Sequence, residues 1–369
     1  MLSQAMKRKL SSSARTVSPP PVRRRAGQAE KHSGSPATPR LSLNSTWKLY
    51  SWNVNGIGAL IQRQISFQPN AVCPLRSFLK DHAWPAFLCL QEVKINRDDK
   101  ATQRRVETAA NSGSTSDEPT YTTFFALPRD RYNATGFGGK VHGVASLIRD
   151  DLLTARSVTT TNPDWDLEGR VLIHEFADLP LVVVNGYWVN GTSNPYRNPD
   201  TGNEEGTRHD HKLRFQKHML DLCKSVEDRG HSVLLLGDMN VAPQRIDGHP
   251  KLRTSPIQHV KNRADFNEKF LDVGTDRGLR GIDVFRHIHG LQKKYTYHGR
   301  GRPWGESCDR VDLIIASRKL VEARPVVVDT DICDNSKDRG HSDHVPLWVQ
   351  LDVSSWLEKQ DCEKIEKIK

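Results

Sequence analysis

The chain has 369 residues and is 36% hydrophobic, with 54 Lys and Arg against 44 Asp and Glu for a formal net charge of +10. That length suits one enzyme-sized domain plus a tail, and no apolar run approaches the roughly 18 to 20 residues that a membrane helix needs, so a soluble, intracellular protein is expected. The six cysteines, Cys73, Cys89, Cys223, Cys308, Cys333 and Cys362, show no CxxC pair and no His/Cys clustering, which argues against a zinc site or a disulfide framework and for reduced thiols.

Residues 1–45 hold nine Lys and Arg and one acid, a balance of +8, so the rest of the chain is only +2. Basicity is a property of the tail, and any nucleic-acid-binding face on the body has to come from local arrangement. The tail is rich in Ser, Pro and Arg, includes Pro19-Pro20-Pro21, and buries too little to offset its ordering entropy, so it reads as disordered. Lys7-Arg8-Lys9 followed by Arg23-Arg24-Arg25 has the form of a two-part nuclear import signal. A mitochondrial presequence is the alternative, but tight basic clusters and prolines disfavour its amphipathic helix.

From Trp47 the texture changes to short apolar strands between polar loops. Strands are predicted over 48–53, 86–91, 120–126, 143–148, 171–176, 181–187, 232–236, 310–316 and 347–352. A helix is predicted over 210–228, where Phe215, Met219, Leu222 and Val226 recur at helical spacing before Gly230, and another ends within 74–80. Segments 97–119, 191–208 and 242–266 are polar and irregular and read as loops. Many strands with few helices, and no repeat, predict two packed sheets flanked by helices in a domain over 46–354, with a short polar extension at 355–369.

Several strands end in polar residues that a core strand has no use for. The first ends Trp52-Asn53-Val54-Asn55-Gly56, the second Leu90-Gln91-Glu92, and a third Gly237-Asp238-Met239-Asn240. A carboxylate and an amide oxygen at Glu92 and Asn55 suit a hard cation that meets phosphate oxygens. Asp238 and Asn240, two apart, project to the same side of an extended segment and can grip one water, Asp as general base and Asn as a group that orients without ionising. Near the C-terminus, Asp343-His344 together with Asp312 offers a carboxylate-held imidazole that neutralises charge on a phosphoryl group. Each residue taken singly is more often a strand end, a turn or a structural polar group; their joint occurrence is the signal.

These residues carry a resemblance to a family. The sequence resembles the exonuclease III branch of the endonuclease/exonuclease/phosphatase superfamily from about Leu49 to Leu351. It does so through Trp52-Asn53-Val54-Asn55-Gly56, Leu90-Gln91-Glu92-Val93-Lys94, Gly143-Val144-Ala145, Glu168-Gly169-Arg170-Val171, Asn185-Gly186-Tyr187 with Asn190, Gly237 to Pro243, Asp309-Arg310-Val311-Asp312 and Ser342 to Pro346. The resemblance implies an α/β protein of DNase I-like fold, a four-layered α/β-sandwich of two mixed sheets flanked by helices. It implies a Mg²⁺-dependent phosphodiesterase, with Mn²⁺ as a substitute, that leaves 3′-hydroxyl ends in DNA repair as a 3′ to 5′ exonuclease, an abasic-site endonuclease, or both. Glu92, Asn55 and Asp343 would hold the metal, Asn55 standing where some relatives carry Asp. Asp238 would activate the water with Asn240. Tyr187 and Asn190 would contact the scissile phosphate, His344 held by Asp312 would bind its oxygen, and Asn53 would support the cluster. The expected partner is DNA, bound by a monomer, with no membrane.

Abasic-site enzymes of this branch place bulky apolar residues shortly before the segment that here reads Asp309 to Asp312. This chain has a polar, basic stretch there, in which Arg300, Arg302 and Trp304 suit phosphate contact and base stacking, and Asp309 stands where some relatives carry Trp. Arg302-Pro303-Trp304 with Cys308-Asp309-Arg310-Val311 also resembles the inositol polyphosphate 5-phosphatase signature. A phosphomonoesterase of that kind is the alternative activity, and a non-catalytic nucleic-acid-binding module the alternative class.

Overall fold

A computed structural model of the chain describes residues 45–62, 73–274, 276–322 and 325–357. The basic tail and the end of the C-terminal extension lie outside the described residues, as does Cys362. Cys73, Cys89, Cys223, Cys308 and Cys333 are free thiols, and among the described residues no helix is long and apolar enough to cross a membrane.

All nine predicted strands form, each within two residues of its expected ends. They belong to two mixed sheets of six strands. One runs, edge to edge, Val327–Ile332, Leu347–Asp352, Thr46–Asn53, Phe87–Gln91, Val144–Arg149 and Tyr121–Ala126. The other runs Ile282–Asp283, Asp312–Ala316, Ser232–Asp238, Leu181–Tyr187, Val171–Phe176 and Val158–Thr161.

The central strands read as unbroken apolar runs because both of their faces are covered. In Ser232–Asp238, Leu234 and Leu236 enter the core between the sheets, whereas Val233 and Leu235 pack outward under helices. In Phe87–Gln91 the same alternation sends Phe87 and Cys89 inward and Leu88 and Leu90 outward. The outer layer on the second sheet is Arg208–Asp228 and Ile257–Phe270, and that on the first sheet includes Pro74–Asp81 and Lys100–Ala110. The result is four layers, helix, sheet, sheet, helix.

Three segments read as loops from the sequence contain regular structure. Lys100–Ala110 is a helix capped by the Asp99 side chain, which accepts from the Thr102 amide, but it buries only Val106, Ala109 and Ala110, too small a stripe to show as periodicity. Ile257–Phe270 buries Asn262, Phe266 and Phe270, an i, i+4, i+8 stripe that starts only after a first turn in which nothing is buried and Ile257 is exposed. The segment 191–208 holds the strand pair Pro195–Arg197 and Glu204–Thr207. The helix predicted over 210–228 begins at Arg208, fixed by a capping box between Thr207 and Asp210.

Strand direction gathers the polar strand ends. Thr46–Asn53 runs parallel to Phe87–Gln91 with Asn53 opposite Gln91, so Glu92 follows directly beside Asn53. Leu181–Tyr187 runs parallel to Ser232–Asp238 and Asp312–Ala316 antiparallel to it, which aligns Tyr187, Asp238 and Asp312 in one cross-strand row. Gly237 and Gly186 face each other within that ladder, and a Cβ on Gly237 would stand 1.9 Å from the Gly186 carbonyl oxygen. Only glycine lets the two backbones close up beside Asp238.

Candidate active site

Three site residues sit in the left-handed backbone region, Asn55 at φ 48°, Glu92 at 51° and Asn240 at 50°. Asn tolerates this region, but a Glu held there costs about 1 kcal/mol or more, and such strain concentrates at functional sites. Asn240 is reached through a turn and not along an extended strand: its amide donates to Asp238 Oδ1 at 2.8 Å. The expected convergence of Asp238 and Asn240 therefore arises from a side-chain-closed turn, and the Asn240 side chain is fixed by a 3.0 Å bond to the Trp188 carbonyl.

Glu92 is the most strongly charged carboxylate here. Its Oε1 accepts from Tyr187 Oη at 2.6 Å and from Asn53 Nδ2 at 3.1 Å, and Lys94 Nζ stands 2.9 Å from Oε2. Burial alone would raise its pKa, but the Tyr187 hydrogen bond and the Lys94 charge outweigh burial and bring it to about 2. Lys94 also donates to Asn55 Oδ1, while Asn55 Nδ2 donates to Asp343 Oδ1 at 3.0 Å. An ammonium bridging Glu92 and Asn55 shows that these two oxygens already form a cation-receiving pair, so Glu92, Asn55 and Asp343 fit a hard divalent ion.

Asp238, Asp312 and His344 form a second acidic cluster, with one ligand atom from each within 4.8 Å of the others. Its chemistry is different. His344 Nδ1 donates to Asp312 Oδ2 at 2.7 Å, and Nε2 lies 4.0 Å from Asp238 Oδ2. Burial pulls the His344 pKa down, but Asp312 and then Asp238 pull it up, to about 10. An imidazolium has no lone pair for a metal, so in this trio the ring itself is the cation. The other oxygen of Asp312, Oδ1, is buried without a hydrogen-bond partner among the described residues, leaving its charge to be answered mainly by His344. The Asp238 carboxyl is pushed upward by burial and by Asp312, and Asn53 Nδ2 donates to its Oδ2 at 3.0 Å. Asn53 thus ties Glu92 to Asp238, one cluster to the other.

Both clusters border one open cavity of about 260 Å³, whose walls include Glu92, Tyr187, Asn190, Asp238, Asn240, Asp343 and His344. Asn53 and Asp312 stand behind these as their hydrogen-bond partners. The lining also includes Lys212, Arg253, His259, Arg263 and Tyr297, none of which was singled out in the sequence. Lys212 could have been found from its place on the predicted helix; its Nζ donates to the Asn240 carbonyl at 2.7 Å. Arg253, His259 and Arg263 lie in a segment read as irregular, and only its length signalled function.

Arg300, Arg302 and Trp304, expected to contact substrate, do not line this cavity. Arg302 is exposed and pairs with Glu306 at 2.9 Å. Trp304 stacks on His298, ring centroids 3.6 Å apart, and borders a separate depression with Tyr295 and Cys308. The cause lies in the Asp309 to Asp312 segment: Arg310 is buried in ion pairs with Asp247 at 2.7 Å and Asp283 at 2.6 Å, and Val311 and Asp312 donate from their amides to Thr296 Oγ1. These contacts bring Asp309 and Val311 into the cavity lining, which residues 300–304 do not join.

The geometry has counterparts in known proteins. Exodeoxyribonuclease III of Haemophilus influenzae is 25% identical over 238 residues, 60% of this chain and 80% of that protein. The exodeoxyribonuclease of Bacillus subtilis is 24% identical over 311 residues, 83% of this chain and 100% of that protein. The crystal structure of the AP endonuclease LMAP from Leishmania major superposes with a TM-score of 0.62 at 20% identity, covering 83% of this chain and 88% of that one, which shows a shared fold. The profile of the Endonuclease/Exonuclease/phosphatase family matches residues 50–344, from the first strand of the first sheet to His344 itself. The chain belongs to that family, in its exonuclease III-like branch, and is a hydrolase.

Proposed function

We propose that the protein is a Mg²⁺-dependent DNA phosphodiesterase, with Mn²⁺ able to substitute, that acts in repair as a 3′ to 5′ exonuclease, an abasic-site endonuclease, or both. One observation carries this reading: Glu92, held low against burial by Tyr187 and Lys94, a buried Asp238, and His344, held high against burial by Asp312, border the same open cavity. A divalent ion held by Glu92, Asn55 and Asp343 would supply charge neutralisation at a phosphate oxygen.

The remaining work falls to the chain's own groups. Asp238 Oδ1 and Oδ2, fixed by Asn240 and Asn53, would take the proton of a water as its oxygen attacks phosphorus in line. The bond from phosphorus to the 3′ oxygen breaks, and that oxygen leaves with the bonding pair and takes a proton from solvent water, giving a 3′-hydroxyl on one strand piece and a 5′-phosphate on the other. His344, kept positive by Asp312, would neutralise the charge that develops on the non-bridging oxygen. Tyr187 and Asn190 would bracket the scissile phosphate, Tyr187 held by Glu92 and by Arg170 at 4.7 Å from its ring centroid.

The test is one end-labelled duplex carrying an abasic-site analogue, beside an intact duplex and a phosphoinositide, each with Mg²⁺ and with EDTA. Metal-dependent incision at the analogue establishes the endonuclease; stepwise 3′ shortening of both duplexes makes it an exonuclease. Release of phosphate from the phosphoinositide alone removes the DNA reading. We further propose action as a monomer in the nucleus, the latter on the two basic clusters of the tail. A fluorescent fusion lacking residues 1–45 that still concentrates in nuclei would contradict the assignment to the tail.

A further inference from the structure

The cavity lining carries both signs of charge. With the carboxylates it includes Arg253, His259 and Arg263. His259 and Arg263 are four residues apart on the helix Ile257–Phe270 and so share a face. Arg253 comes from the segment before that helix, and Arg263 Nη1 donates to its carbonyl at 3.1 Å, tying loop to helix. Neither arginine is in a salt bridge among the described residues. Burial first, and then the positive charges of Arg253, His209, Lys212 and Arg263, hold the His259 imidazole down at about 4. Asp309 is the acid on this side, and Arg253 and Arg263 oppose the burial that raises its pKa. One carboxylate against two arginines leaves the wall cationic and short of an anion, a few residues from the groups proposed to act on the scissile phosphate.

We infer that Arg253, His259 and Arg263 form a second phosphate subsite, which takes the phosphate one nucleotide along the strand from the scissile one. The inference rests on the phosphodiesterase reading above and gives it a substrate class: strands that carry an anion on the far side of the nucleotide in the cavity. An internal backbone phosphate and a terminal 3′-phosphate share this chemistry.

Binding without turnover tests the subsite apart from catalysis. The full chain in EDTA is titrated against fluorescent duplexes by anisotropy. One pair ends in a 3′-phosphate or a 3′-hydroxyl; the other carries an abasic-site analogue whose neighbouring 3′-side phosphate is native or an uncharged methylphosphonate. The wild type is expected to bind the anion-bearing member about tenfold more tightly in at least one pair, and the responding pair identifies the source. Arg253→Gln and Arg263→Gln should each erase most of that preference and reduce the slope of log affinity against log salt by about one. Arg253 is exposed, so its replacement leaves the fold intact even if Arg263→Gln does not. Equal binding within both pairs by the wild type, or a preference that survives Arg253→Gln, overturns the subsite. The same duplexes with Mg²⁺ separate the two ideas: a preference without cleavage keeps the subsite as an anion site and removes the phosphodiesterase.

Discussion

Replacing Asp238 by Asn separates catalysis from folding at the centre of the site. The two oxygens of Asp238 accept from the Asn240 amide at 2.8 Å and from Asn53 Nδ2 at 3.0 Å. An amide can satisfy only one of these donors, and the other then meets an NH₂, at a cost of about 1–3 kcal/mol. Against that, the substitution removes a buried charge whose ionisation is opposed by burial and by Asp312, offset in part by the lost attraction to His344 at 4.0 Å. The opposing terms are of similar size, so the net loss should be no more than about 2 kcal/mol, a Tm shift of roughly 3 °C in a domain of this size. Catalysis has no such compensation. General-base assistance contributes roughly 100- to 10,000-fold, so kcat should fall about a thousandfold with KM little changed. Single-turnover cleavage of a labelled duplex, paired with thermal melts, measures both. Retention of more than a tenth of the wild-type kcat by a folded variant would refute the base assignment, and loss of the folded state would refute the balance of terms.

Arg310→Gln leaves the buried carboxylates of Asp247 and Asp283 without their main cation, and should cost about 3–5 kcal/mol, seen as a melt lowered by roughly 5–8 °C. His174 is buried with Nε2 unpartnered, and burial lowers its pKa to about 3. The native state therefore binds fewer protons than the unfolded chain below the ordinary value of 6.5, and stability that is complete above 6.5 is lost as pH falls toward 3. By pH 5.5 the loss should be about 1.4 kcal/mol from this ring, and denaturant titrations of His174→Gln should show a flatter acid limb; an unchanged limb would contradict the assignment. Trp304→Ala should leave duplex cleavage within about twofold of wild type, since the ring stacks on His298 away from the cavity; a tenfold loss would move the substrate path across that face.

Much of the site was legible because its residues follow apolar strands. Glu92, Asp238 and Asp312 stand at strand ends whose composition announces burial on both faces, and a polar residue there needs a reason. Their partners were less visible. Nothing local to Lys94 shows that it bridges Glu92 and Asn55, and nothing local to Asn53 shows that it donates to both Glu92 and Asp238. The helix Ile257–Phe270 escaped notice because its buried stripe begins with an Asn, and with it went the basic wall. Arg300, Arg302 and Trp304 lie close in sequence to Asp312, yet none of them lines the cavity.

By itself, then, the sequence determined the nine strands, the two-sheet architecture, the family, and the identity of the acids and the imidazole that border the cavity. Those are local properties, set by apolar periodicity and by which residue types a strand end can tolerate. Tertiary structure decided which charges meet. The pairing of Asp312 with His344 joins positions 32 residues apart, and that of Asn53 with Asp238 joins positions 185 apart. Burial opposes the charged form of both Glu92 and His344, and the partners that packing brings to them override it, holding the Glu92 carboxyl low and the His344 imidazole high. Electrostatic energy depends on distance and on exclusion of water, and neither exists until the sheets have packed.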